Sequence, residues 1–207
     1  MIELARDYHQ AVTLKDGSTL LLRALQHSDK PLIVDLFRQL SPKSIRYRAF
    51  AAKGILTEKE LTYLVDVDFV NHVALAAVFR GAEKERIVGV GRYCRAPLSD
   101  AHGPRAEVAF TVLDEEQGRG IGTLLLEHLA GIARSNGVDE FEADIMIGNT
   151  KMMEVFAASG FVVRKSLVDG VHHVLFPTKE TTLFLEASRT RHSLAAANQA
   201  SSQDSVY

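Results

Sequence analysis

One cysteine, Cys94, occurs in 207 residues. No disulfide can therefore form within the chain, and the C-x-x-C metal and redox patterns are excluded. Alone in an apolar segment, Cys94 reads as a small strand side chain. No apolar run approaches the ~18–20 residues of a membrane-spanning helix. The opening segment MIELARDYHQ is acidic and polar early on and lacks a signal-peptide pattern. Positive charge is not in excess: the formal net charge is -2, which offers no global attraction to nucleic acid or to an acidic membrane. These absences point to a soluble protein of a reducing compartment, the cytoplasm, with neither nucleic acid nor membrane as partner. What remains is ordinary globular composition, with 46% apolar and 24% charged residues, long enough for one domain with a real core.

Periodicity divides the chain into alternating kinds of element. Two strand-like runs flank Asp16-Gly17, a strong hairpin signal. Ser28 or Asp29, followed by Pro31, can open a helix through Leu32, Ile33, Leu36, Phe37 and Leu40. Ser41-Pro42 stops it and starts another through Ile45, Tyr47 and Phe50. Thr57 with Glu60 three residues later reads as a capping box for a helix ending near Val65. Strands follow at His72–Phe79 and Arg86–Arg92, joined by a turn, then a loop over Ala96–Arg105 and a strand over Ala106–Leu113. Helix, strand and helix come next, at Gly120–Asn136, Glu140–Ile147 and Asn149–Ser159, with Gly160 as the C-terminal cap. The strands Phe161–Leu167 and Val171–Pro177 meet at Asp169-Gly170, and Thr181–Leu185 extends the last of them. From Ser188 onward large apolar residues are scarce, which predicts a flexible tail over 188–207. The pattern is mixed α/β with hairpins. His172 and His173 are neighbours in a strand and point to opposite faces, so no metal site is expected.

The chemistry concentrates in Gln117-Gly118-Arg119-Gly120-Ile121-Gly122. Glycine is entropically costly at a helix entrance, yet three stand here at alternate positions. A strand, a glycine-rich turn and a helix make an anion site, because the first helical N–H groups lack partners and the helix dipole favours negative charge. A tight turn is the alternative reading. The nucleoside-triphosphatase loop needs Gly-Lys-Ser or Gly-Lys-Thr at its end, and the sequence has Gly120-Ile121-Gly122-Thr123. The dinucleotide fingerprint needs G-x-G-x-x-G, and the spacing here is G-x-G-x-G. In the strand before the loop, alternation places Val108, Phe110 and Val112 on one face and Glu107, Ala109 and Thr111 on the other. Glu107 is the strand's one carboxylate, and its apolar neighbours predict partial desolvation.

The Q-x-x-G-x-G run resembles the coenzyme A pyrophosphate loop of the GNAT superfamily of N-acetyltransferases. Asn149 to Phe156 with Gly160-Phe161 is similar to that family's second cofactor signature. The resemblance implies an α/β (α+β) fold with a mixed, mostly antiparallel twisted sheet. About six or seven strands are expected, with helices on both faces and a splayed central strand pair. It implies a single acetyltransferase domain over 1–187. Acetyl-CoA is the implied donor, bound by the backbone of Phe110, Thr111 and Val112, by the N–H groups of the loop residues Gln117, Gly118, Arg119, Gly120, Ile121 and Gly122 with Thr123 beside them, and by Asn149 and Phe156. Asp114, Glu115 and Glu116 precede the loop and are expected to face solvent, away from phosphate. Glu107 is the implied general base. The family's usual tyrosine acid has no counterpart, because Phe156 holds the matching aromatic position. Segments Leu40–Phe50 and Val65–Leu75 are similar to those of bacterial protein-lysine acetyltransferases. The expected acceptor is thus a protein lysine, with a small-molecule amine or a non-catalytic acyl-CoA sensor as alternatives. His72 is a candidate for the acceptor site or a structural histidine. A monomer or homodimer is expected.

Overall fold

The computed structural model describes residues 5–49, 56–81, 84–95 and 104–204. Asp16-Gly17 turns the chain as its residue types predict. Gly17 has a φ of +85°, and the Asp16 carboxylate accepts from the Ser18 N–H and hydroxyl. The flanking strands β1 (His9–Thr13) and β2 (Thr19–Ala24) pair antiparallel. Helix α1 (Lys30–Arg38) carries Pro31 in its first turn and buries Ile33 and Leu36. Asp29 precedes it without capping it. Its buried carboxylate instead pairs with Arg23 at 2.7 Å and accepts from the Gln26 N–H. Helix α2 spans Pro42–Ala49, and its expected continuation to Phe50 lies outside the described residues. Helix α3 (Glu58–Val65) opens on the expected capping box, with Thr57 accepting from the Glu60 N–H and Glu60 from the Thr57 N–H.

Strands β3 (His72–Arg80), β4 (Glu85–Arg95) and β5 (Arg105–Val112) form a meander. Most of the loop expected over Ala96–Arg105, and part of the turn before β4, lie outside the described residues. Then come α4 (Ile121–Ser135), β6 (Glu140–Met146), α5 (Thr150–Ser159), β7 (Arg164–Val168), β8 (Val171–Pro177) and α6 (Thr182–Asp204). The sheet order is β1-β2-β3-β4-β5-β6-β8-β7. All neighbours are antiparallel except β5 and β6, which run parallel. The eight strands match the eight strand segments read along the sequence and exceed the six or seven that the resemblance implied. The edges are thinly covered: every residue of β7 is exposed and β1 buries Val12 alone.

Helix α4 packs its Leu125 and Leu129 against the sheet near Gly91 and Phe110. The predicted stripe Ile121, Leu124, Leu125, Leu129 and Ile132 is buried throughout. On the other face, Tyr63 of α3 lies over Arg92 of β4, so helices cover both faces. Beyond β6, Phe141, Phe156, Phe161, Phe176 and Phe184 form an aromatic core, with Phe161 and Phe184 stacked at 4.6 Å.

The C-terminal segment departs from expectation. Neither an extension of β8 nor a flexible tail, it is a helix whose first turn Thr181 caps by accepting from the Phe184 N–H. Its inner face runs at helical spacing through Phe184, Ala187, Arg191, Ala195 and Asn198. Phe184 and Ala195 are buried. Arg191 pairs with Glu127 of α4 and donates to the Ala158 carbonyl of α5. That face uses small residues and a paired arginine rather than large apolar side chains. Its periodicity is therefore invisible to a hydrophobic pattern, although alanine is the best helix former.

Candidate active site

Strands β5 and β6 stay in register only from Arg105↔Glu140 to Glu107↔Glu142. Beyond Glu107 they part, as the splayed pair was expected to. The Leu113 N–H donates to the Val88 carbonyl of β4 at 2.9 Å. Antiparallel alternation then turns the backbone of Thr111 and Ala109 toward β4, and that of Val108, Phe110 and Val112 into the gap. Of the three backbone contacts expected along this strand, Phe110 and Val112 are placed to make them, whereas Thr111 spends its backbone groups on β4. Gln117 donates its side-chain amide to the Val112 carbonyl at 3.1 Å, tying the glycine loop to the strand.

The gap widens into a cleft of about 320 Å³ lined by Val108–Val112, the glycine loop, Asn149 and Val155. Gly120 is the N-cap of α4 with φ +93°, and no side chain caps the helix. The N–H groups of Ile121, Gly122 and Thr123 therefore lack intrahelical partners, which leaves this end of the cleft with donors of the kind that hold anions. Two of the three glycines have distinct steric reasons. Gly120 takes a left-handed conformation that L-residues resist. A Cβ on Gly122 would lie 2.9 Å from Cγ2 of Val155, so that glycine permits α4 and α5 to approach. Asn149 caps α5 by accepting from the Met152 N–H at 3.3 Å, and it lines the cleft.

One expected cofactor residue is placed elsewhere, and the side chain of a loop residue turns aside. Phe156 is 1% exposed and packs on Phe176 with ring centroids 5.0 Å apart. It belongs to the core, and Met152 and Val155 of the same helix face the cleft instead. The Arg119 guanidinium turns away from the cleft. It bonds Asp16 at 2.7 Å, Ser18 at 2.7 Å and Glu116, and lies over the Phe79 ring.

The acidic run before the loop also differs from expectation. Glu115 is exposed and pairs with Arg86, but Glu116 is buried and held by Arg119 and Arg86. Asp114 lines the cleft and accepts from the Ser41 N–H at 2.9 Å and the Ser41 and Ser44 hydroxyls at 2.8 and 2.7 Å. Burial pushes the Asp114 carboxyl up, but these hydrogen bonds outweigh it and hold it below its ordinary value. The same helix reaches across the cleft, where the Tyr47 hydroxyl donates to the Gly148 carbonyl at 2.9 Å. Helix α2 is thus a strap from the β5–α4 turn to the β6–α5 turn, with Lys43, Ser44 and Tyr47 facing the cleft. Nothing in a linear pattern marks these contacts, which join residues 70 to 101 positions apart.

Glu107 sits where the strands part. It is exposed rather than desolvated. It forms part of the wall of the cleft and of a second cavity of about 540 Å³ that β6, β7 and β8 also line. Glu142 and Asp144 line that second cavity, and His173 bonds Asp144 at 2.5 Å. Across β4, Cys94 pairs with Glu107 and with His72, and the Tyr63 hydroxyl lies 3.8 Å from the Cys94 sulfur. Burial, then the Cys94 hydrogen bond, raises the Tyr63 hydroxyl above its ordinary value. His72 packs on Tyr63 with centroids 5.1 Å apart. Burial and then the Arg92 charge push its pKa down to about 4, so it is neutral near pH 7. No group of three or more His, Cys, Asp or Glu able to hold a metal ion occurs among the described residues.

Comparison with known proteins sets this geometry in context. The family model "Acetyltransferase (GNAT) family" matches residues 47–161. An acetyltransferase of Pseudomonas aeruginosa is 28% identical over 74% of this chain and 81% of its own length. The acetyltransferase Pat of Mycolicibacterium smegmatis is 29% identical over 84% of this chain, which spans 50% of that relative. Among solved structures, the GNAT domain of S. lividans PAT superposes with a TM-score of 0.74 at 35% identity, covering 82% of this chain and 96% of that one. The yncA protein of Salmonella typhimurium, solved with acetyl-CoA, shares the fold at a TM-score of 0.62 and 17% identity, over 79% of this chain and 96% of its own.

Proposed function

The chain belongs to the GNAT acetyltransferase family, and we propose that it acetylates the side-chain amine of a protein lysine in a single ternary complex, with Glu107 as general base. The residues of the cleft fit acetyl-CoA as donor. The gap between β5 and β6 offers the free backbone edge of Val108 and Phe110 to an extended arm, and the uncapped start of α4 offers N–H groups to a diphosphate. When bound, acetyl-CoA supplies the acetyl group as a thioester and leaves as the free thiol.

The observation that carries the reading is the position of Glu107 on the shared wall of two cavities. A lysine amine has a reference pKa of about 10.4 and arrives protonated. Glu107 takes a proton from it, and the neutral amine then attacks the thioester carbonyl from the second cavity. The adduct gives up a second amine proton as the C–S bond breaks and the sulfur leaves as the thiol. A strand N–H directed into the gap beyond Glu107 is the donor for the negative charge that develops on the carbonyl oxygen. Glu142 and Asp144 beside Glu107 are the groups able to meet a cationic acceptor, in a cavity that Arg164 and Lys165 also line. The likeness of Leu40–Phe50 and Val65–Leu75 to bacterial protein-lysine acetyltransferases supports a lysine rather than a small amine.

The test is calorimetric titration with acetyl-CoA and desulfo-CoA, followed by thiol release with a panel of lysine peptides and small amines. Binding with release that depends on lysine peptides is the expected result. Release with small amines alone overturns the acceptor, and binding without any release makes the protein an acyl-CoA sensor.

A further inference from the structure

A diphosphate held only by backbone N–H groups lacks a side-chain counter-charge, and the arginine of the loop does not provide one. The Arg119 guanidinium is committed to Asp16, Ser18 and Glu116, and Arg119 does not line the cleft. Three lysines line the cleft. Lys151 pairs with Glu154 at 3.4 Å on α5, and the Lys43 ammonium lies 5.7 Å over the Tyr47 ring on the strap. Lys15 is different. It comes from the β1–β2 turn, lines the cleft and has no ion pair among the described residues. Its side chain runs beside the first residue of the anion site. A Cβ on Gly120 would stand 3.4, 3.5 and 3.7 Å from Cγ, Cε and Cδ of Lys15.

The turn that carries Lys15 is held from both sides. The Lys15 N–H donates to the Arg119 carbonyl at 3.3 Å, and the Asp16–Arg119 ion pair repeats the link through side chains. On the outer side, Asn198 of α6 donates its amide to the Lys15 carbonyl at 2.6 Å. The backbone of α6 also closes on Gly17, where a Cβ would lie 2.6 Å from the Gln199 nitrogen. We infer that Lys15 is the side-chain cation for the diphosphate of coenzyme A, and that α6 is the buttress that keeps it at the glycine loop. The inference rests on the reading of the cleft as a coenzyme A site. It gives the C-terminal helix a part in cofactor binding, although it lies outside the cleft.

The experiment is calorimetry of CoA and 3′-dephospho-CoA binding to the full chain and to Lys15→Ala, Lys15→Arg and Asn198→Ala. Lys15 is exposed, so its variants should fold as the parent does. Lys15→Ala is expected to weaken both ligands by the same factor, about tenfold, as for loss of one charge-assisted hydrogen bond. Lys15→Arg should retain most of the affinity. Asn198→Ala should lose about two- to threefold with an unchanged unfolding midpoint, as for a modest neutral hydrogen bond. Wild-type affinity in Lys15→Ala overturns the assignment. Weakening of CoA alone also overturns it, because Lys15 then reads the 3′-phosphate. An unaffected Asn198→Ala overturns the buttress. A wild-type chain that binds CoA but releases no thiol with any amine defeats the acetyltransferase reading while leaving the Lys15 comparison intact. A wild-type chain that binds neither ligand overturns both.

Discussion

Glu107 illustrates how much one carboxylate depends on its neighbours. It pairs with Cys94 on one side and Glu142 on the other, and the last paired position of β5 and β6 is its own. Glu107→Gln keeps shape and polarity but removes the proposed base. Its turnover should fall by about 10²–10⁴-fold, the usual contribution of a positioned base, with CoA affinity in calorimetry unchanged. Equal turnover removes Glu107 from the mechanism. Gly120 is the second decisive residue. Gly120→Val combines a β-branched side chain with φ +93° and crowds the Lys15 stem. A cost of about 1–2 kcal/mol for the left-handed conformation should appear as about five- to thirtyfold weaker CoA binding or as a lower unfolding midpoint. At Asp16, burial pushes the carboxyl up, but the Ser18 and Arg119 hydrogen bonds outweigh it and bring the pKa to about 2, from an ordinary 3.8. A depressed carboxyl stabilises the fold above its unfolded pKa. That stabilisation is lost as pH falls from about 4 through 2.

Elements carry function here through their ends. Helix α2 is short, yet Ser41 and Ser44 fasten one end to Asp114 and Tyr47 fastens the other to Gly148. Tyr47→Phe with Ser44→Ala should loosen this strap. The expected result is a raised KM for acetyl-CoA, with the unfolding midpoint little changed because the lost hydrogen bonds are exposed. An unaltered KM makes α2 a passive cover. Helix α3 was legible as an element from Thr57 and Glu60 alone, because a capping box is a local device. Thr57→Ala should cost about 1 kcal/mol of stability in denaturant titration. Helix α6 was not legible, since its inner face is built from Ala187, Arg191 and Ala195. Removing 188–207 takes away the Arg191–Glu127 pair and the buried Ala195 that fasten α6 to α4 and α5. The truncated chain should therefore melt well below the full one. An unchanged melting point makes α6 an accessory.

Across the whole molecule, two histidines set the response to acid. His72 is pushed down to about 4 by burial and then by Arg92. His128, bonded to the Tyr8 hydroxyl, is pushed to about 4 by burial and then by His192. Both lie below the ordinary 6.5. The unfolded chain binds protons that the folded chain refuses, so stability falls as pH drops from about 6.5 to 4 and is full above that window. Denaturant midpoints measured from pH 7.5 to 4.5 should decline through it. The decline should become shallower in His72→Gln. A flat profile refutes burial of neutral histidines at these positions.

The sequence by itself determined what depends on neighbours in the chain: the Asp16-Gly17 hairpin, the Thr57 cap, the stripe of α4 and the glycine loop at its entrance. It also placed Glu107 on a strand just before that loop. These features follow from periods of two and 3.6 residues and from the conformations that glycine alone adopts readily. Only the tertiary structure decided which groups face the cleft. It turned Arg119 outward to Asp16, sank Phe156 into the aromatic core, brought Lys15 and the α2 strap to the cofactor cleft, and folded the C-terminal residues onto α4 and α5. Those outcomes depend on charges and hydrogen bonds between residues up to 183 positions apart. No local pattern encodes such pairings, because each becomes favourable only after the sheet has brought its partners together.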